Sequence, residues 1–159
     1  MKLITEEGCD VSFLLGKAKV SPVHGHTIPR LELCAAVLSA EIADLAKEHL
    51  NIPSSDIYYY TDSKVVLGYL SNEVRRFYVY VTNRVNRIRA VSSPTQWHFV
   101  PTDSNPADIA TRRISAEQLI NSTYLTGPEF LRSDSQIPSD DFQLINPRDD
   151  KEVRPEILV

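Results

Sequence analysis

Apolar residues along this chain switch between two spacings, and that switching constrains the fold more than any other feature. Val11-Ser-Phe-Leu-Leu-Gly-Lys-Ala-Lys-Val20 has a continuous apolar middle and reads as a strand ended by Ser21-Pro22. Thr27-Ile-Pro29 then has the grammar of a helix start, with Thr27 as cap and proline in the first turn. Leu31, Cys34, Leu38, Ile42 and Leu45 follow at intervals of three and four, so a helix to about Leu50 is predicted to bury that face. Ile57-Tyr-Tyr-Tyr60 reads as a second strand, and a short helix follows through Val65, Val66 and Tyr69. A further helix is predicted from Val74 to Ala90, burying Phe77, Val81, Val85 and Ile88, with Ser92-Ser93-Pro94 as its break. Gln96 to Val100 reads as a strand, and Asn105-Pro106 opens another helix. Alternation of this kind predicts an α/β class, with a mixed sheet flanked by helices.

Charge divides the chain in two. Residues 1–132 hold 14 Lys+Arg against 14 Asp+Glu, whereas residues 133–159 hold 3 against 7. The latter stretch also contains Pro138, Pro147 and Pro155 and little periodicity, so it reads as a linker or disordered acidic tail after a domain spanning 1–132. Between Glu73 and Asp103 there is no acid, but there are Arg75, Arg76, Arg84, Arg87 and Arg89. Such a one-signed segment can face a polyanion, although a solvated helix face gives the same pattern. No long apolar run predicts a membrane span, and the opening Met-Lys-Leu-Ile-Thr-Glu-Glu is not a secretory leader. An intracellular setting, cytoplasmic or nuclear, is expected. Cys9 and Cys34 are too few for a disulfide framework, and Cys34 reads as a small core residue.

Three acids stand at predicted element ends. Glu32 falls in the first turn of the long helix, Asp62 closes the tyrosine-rich strand, and Asp108 falls in the first turn after Asn105-Pro106. Carboxylates gathered at strand ends can hold hard cations. Each also has a plainer explanation, because helix starts favour acids and Asp62-Ser63 can cap a helix. His24 and His26 read as surface residues, and His98 as packed beside Trp97.

Four strings, in order, sharpen this reading: Ile28-Pro-Arg-Leu-Glu-Leu-Cys-Ala-Ala36, Tyr60-Thr-Asp-Ser63, Trp97-His-Phe-Val-Pro101 and Asn105-Pro-Ala-Asp-Ile-Ala-Thr-Arg112. Together they resemble the ribonuclease H region of Bel-Pao retrotransposon polyproteins, from about Val11 to Leu131; Gly127-Pro-Glu-Phe-Leu131 is similar to the polyprotein segment just beyond that domain. The resemblance implies a ribonuclease H-like fold and hydrolysis of RNA in RNA–DNA hybrids with two Mg2+ or Mn2+ ions. By motif, Glu32, Asp62 and Asp108 are three of its four metal-holding carboxylates. The fourth lies in the family on an initial strand ahead of the segment matching Val11–Val20, and Asp10 reads as a turn residue rather than a substitute. The expected fold is therefore the ribonuclease H-like sheet without its first strand, with impaired catalysis. The expected partners are an RNA–DNA hybrid and the reverse transcriptase and integrase regions of the parent polyprotein. Arg75, Arg76, Arg84 and Arg87, with Asn83 and Asn86, are the candidate phosphate contacts. Two alternatives remain at this level: an inactive nucleic-acid-binding remnant, and an integrase-like nuclease of the same superfold.

Overall fold

The computed structural model describes residues 1–6, 8–132 and 149–155. It is a mixed α/β structure, as the alternation predicted. The described residues fall into two compact units, one drawn from residues 1–21 and 100–132 and the other from residues 22–99 and 149–155.

The first unit opens with a hairpin of β1 (Lys2–Thr5) and β2 (Gly8–Val11), paired antiparallel with Leu3 opposite Asp10. The strand expected over Val11–Val20 is not formed: only Val11 belongs to β2, and residues 12–20 have no regular structure. Leu14, Leu15 and Val20 are exposed. An apolar run becomes a strand only where a neighbour takes its backbone hydrogen bonds, and no described strand pairs with these residues. Asp10, expected in a turn, lies instead on β2.

The second unit begins with α1 (Ile28–Leu50). Pro29 occupies its first turn, and Asn51, in the left-handed region at φ 54°, ends it by donating its N–H to the Lys47 carbonyl. The buried positions are Leu33, Ala36 and Ala40, one step away from the predicted stripe; Leu38 and Ile42 are half-buried and Leu45 is 53 % exposed. Alanines give a weak sequence signal, yet they suit a face on which another helix packs closely. β3 (Tyr59–Thr61) leads through Asp62 to α2 (Lys64–Ser71), which Ser63 caps by accepting the Val66 N–H at 3.4 Å. Val66, Leu67, Tyr69 and Leu70 of α2 are all buried.

α3 spans Val79–Arg89, five residues later than predicted at its start. The preceding backbone is engaged elsewhere. Asn72 accepts the N–H groups of Val74 and Arg75, and Phe77 forms a bridge with Val153. The predicted apolar set does hold, with Phe77, Val81, Val85 and Ile88 all buried. β4 (Trp97–Phe99) pairs in parallel with β3, placing Tyr59 opposite Trp97 and Tyr60 opposite His98. The Tyr59 and Trp97 rings stack at 4.4 Å, and the Trp97 indole donates to Ser92 Oγ at 3.0 Å. The chain then returns to the first unit. The helix expected after Asn105-Pro106 is a 3-10 helix at Pro106–Thr111, and α4 (Ala116–Ile120) and α5 (Thr123–Thr126) follow.

The expected tail needs the largest revision. Residues 133–148 and 156–159 lie outside the described residues, but 149–155 pack on the second unit as a strap. Val153 is 2 % exposed within the hydrophobic core, and Asp150 and Glu152 are buried beside it. Burial of two acids is costly without partners. Both have them: the Tyr69 hydroxyl donates to Asp150 at 2.6 Å, and Arg30 binds Glu152 through two bonds at 2.7 and 3.0 Å. None of the described helices is long and apolar enough to cross a membrane.

Candidate functional site

Glu32 and Asp62 belong to the second unit. Glu32 stands four residues after the start of α1, one turn further in than expected, so the opening turn contains no acid. Asp62 comes directly after β3 and precedes the Ser63 cap. Both carboxylates are half-buried. Burial raises the Glu32 pKa above the ordinary carboxyl range, and the charge of Asp62 raises it further. Among the described residues, no Lys, Arg or His forms an ion pair with either acid. The charged form of Glu32 is therefore disfavoured, and a nearby cation would favour it.

Asp108 belongs to the first unit. It lies in the 3-10 helix, where Asn105 caps by accepting the Ala107 N–H at 3.1 Å. Its carboxylate forms an ion pair with Arg112 and accepts from the Thr111 hydroxyl at 3.4 Å. A local role thus accounts for this acid. Magnesium takes oxygen ligands and keeps several waters, so Glu32 and Asp62 offer the right donor chemistry. Among the described residues, however, no group of three or more His, Cys, Asp or Glu side chains is placed to hold a metal ion. Two carboxylates alone are too few for a pair of ions.

The basic segment is also redistributed. Arg75 and Arg76 precede α3 rather than lying on it. Arg84 lies over the Tyr80 ring at 3.5 Å and donates to Cys34 Sγ at 3.4 Å and to the Tyr80 carbonyl at 3.1 Å, so it is largely committed to packing. Arg87 pairs with Glu41 of α1 at 2.6 Å while staying 67 % exposed. Arg89 closes the end of α2, donating to the carbonyls of Leu70 and Asn72. Asn83 and Asn86 are exposed on α3, as is Arg76 ahead of it. Exposed Arg76, Asn83, Asn86 and Arg87 are therefore the groups of this segment most available to phosphates.

His98 lies on β4 between the rings of Tyr58 and Tyr60, at 5.9 and 5.6 Å. Burial lowers its pKa, as suits a packed neutral imidazole. Burial likewise raises the hydroxyl pKa values of Tyr59 and Tyr60. His24 and His26 are exposed, and the His26 ring meets Tyr80 edge-on at 6.1 Å.

Sequence reasoning missed a cluster at the start of α1. Thr27, expected to cap the helix, directs its hydroxyl to Glu152 Oε1 at 3.3 Å instead. Arg30 holds the same carboxylate and lies over Tyr80 at 4.6 Å, and the Tyr80 hydroxyl meets Cys34 Sγ at 3.2 Å. Its only sequence trace is an Asp-x-Glu-Val string, Asp150 to Val153, inside an acidic stretch.

Residues 2–63 match the model of a family described as the Pao retrotransposon-like RNaseH-like domain. No curated protein and no solved structure matches the chain. The matched residues include the opening of α1 with Glu32, and β3 with Asp62.

Proposed function

Because residues 2–63 match the Pao retrotransposon-like RNaseH-like domain family, we propose that this chain is a nucleic-acid-binding module of a retrotransposon polyprotein that engages RNA–DNA hybrids. The family match carries this reading. The reverse transcriptase and integrase regions of the same polyprotein would be its covalent neighbours. Exposed Arg76 and Arg87, with Asn83 and Asn86, supply sequence-independent contacts to phosphates and 2′-hydroxyls.

Binding without turnover is the form of this function that the carboxylates support best. Of the motif acids, Asp108 is already held by Arg112. A purified chain mixed with a fluorescent RNA–DNA hybrid should bind it, more weakly as salt rises, because binding releases counterions. RNA cleavage in Mg2+ or Mn2+ should not exceed that of the metal alone. Failure to bind at about 50 mM salt, where phosphate contacts are strongest, would overturn the reading.

One observation favours a hydrolytic alternative. Burial and the charge of Asp62 disfavour the charged form of Glu32, and a bound Mg2+ or Mn2+ ion would favour it. In that alternative Glu32 and Asp62 hold metal, the role that the family motif also gives Asp108. RNA cleavage that disappears in Asp62→Asn would establish it in place of binding alone.

A further inference from the structure

The strap of residues 149–155 places a carboxylate on an arginine of the Ile28-Pro-Arg-Leu-Glu motif. Glu152 is 3 % exposed and receives three bonds: two from Arg30, at 2.7 and 3.0 Å, and one from the Thr27 hydroxyl at 3.3 Å. A guanidinium fork and a hydroxyl converging on one carboxylate form the donor set that also suits a phosphate. Arg30 also lies over the Tyr80 ring, on which Arg84 stacks as well. The strap is fastened further along its length. Asp150 accepts from Tyr69, the Tyr78 N–H donates to the Glu152 carbonyl at 3.1 Å, and the Arg154 N–H donates to the Arg76 carbonyl at 2.8 Å. Val153 anchors it in the core. The strap thus also touches the backbone of Arg76 and Tyr78, at the edge of the segment assigned to phosphate contact.

We propose that residues 149–155 are an autoinhibitory strap in which Glu152 stands in for a nucleic-acid phosphate on Arg30 and Thr27. With the strap seated, Arg30 is neutralised. With it displaced, Arg30 and the Thr27 hydroxyl bind a phosphate in its place. The nucleic-acid part of this inference rests on the function proposed above, whereas the anion site itself does not.

Two readouts on the full chain separate these layers. Glu152→Gln keeps the side chain's shape but weakens its hold on Arg30, so it should bind a fluorescent RNA–DNA hybrid several-fold more tightly than the wild type. Val153→Ala loosens the anchor without changing any charge and should give a smaller gain in the same direction. Asp149→Asn changes charge at an exposed neighbouring position and should give little gain. Adding Arg30→Ala should abolish the gain of Glu152→Gln. In the second readout, inorganic phosphate should raise the Tm of Glu152→Gln more than chloride of equal ionic strength, and should not do so in the wild type or in the double variant. Should Glu152→Gln fail to fold, Val153→Ala carries both readouts. A selective phosphate effect with no hybrid binding by any chain would overturn the nucleic-acid function and leave the anion site standing. No selective phosphate effect in either strap variant, or a gain that survives Arg30→Ala, would overturn the strap.

Discussion

Glu32 and Glu152 both meet the opening turns of α1, yet their surroundings differ in kind. Glu152 comes from a distant part of the chain, is buried, and is matched by a guanidinium and a hydroxyl. Glu32 sits on the helix itself, is only half-buried, and has another acid for a charged neighbour. The first arrangement is complete within the chain. The second has an electrostatic deficit that something outside the protein could fill. Comparing them separates a carboxylate matched within the chain from one left without an ionic partner, and it does so by partners rather than by burial alone.

The sharpest way to break this contrast is Arg30→Ala. It leaves Glu152 and its charge buried without an ionic partner, so unfolding in urea at pH 7 should show a loss of about 3 kcal/mol, near the lower end for broken buried pairs because Arg30 is partly exposed. A loss below about 0.5 kcal/mol, the scale of a surface pair, would mean that the strap is not seated in solution. Tyr69→Phe removes the hydroxyl that Asp150 accepts, but Asp150 keeps the Glu152 N–H at 2.9 Å. The expected loss is accordingly smaller, about 1–2 kcal/mol by the same measurement. Burial and the bond to Asp150 also push the Tyr69 hydroxyl far above the ordinary tyrosine range, so no phenolate absorbance from Tyr69 should appear in an alkaline titration before the protein unfolds.

Glu32→Gln should act in the opposite direction. A carboxyl whose pKa is raised in the folded state binds protons more readily there than in the unfolded chain. Its ionisation therefore costs stability, and the cost grows as pH rises through the usual glutamate range to the raised value. Glu32→Gln should be more stable than the wild type at pH 7, with the difference vanishing below the usual glutamate range. Thermal melts across pH measure this, and an advantage that persists in acid would assign it to something other than charge. Millimolar Mg2+ should narrow the gap at pH 7 if the acid pair accepts a cation. Asp108→Asn should have the smallest effect, about 0.5 kcal/mol or less, because it breaks a single exposed pair with Arg112.

These contrasts track how far each feature was legible in the sequence. α1 was readable because its start and its stop are local: proline in the first turn, and Pro53 just beyond Leu50. The β3 and β4 runs were readable from their aromatic and β-branched content, and the apolar face of α3 from its spacing. The buried face of α1 was misplaced because alanines pack against a neighbouring helix without standing out as apolar. The segment 12–20 was misread because its own residues cannot say whether a strand is available to pair with it. Glu32 and Asp62 were found by motif, and the raised pKa of Glu32 by structure. The strap was invisible for a physical reason: two acids flanking a lysine look solvated unless their partners, Tyr69 and Arg30, are known, and these lie 81 and 122 residues away.

That separation has a consequence for the order of folding. Contacts between residues so far apart form late, since chain entropy must be lost before they return any stability. On a ribosome adding about 5–20 residues per second, Arg30 emerges roughly ten seconds ahead of Glu152. During that interval the newborn helix presents a bare guanidinium to whatever polyanion is nearby, including the message being translated. Only once Glu152 follows can the strap close over Arg30.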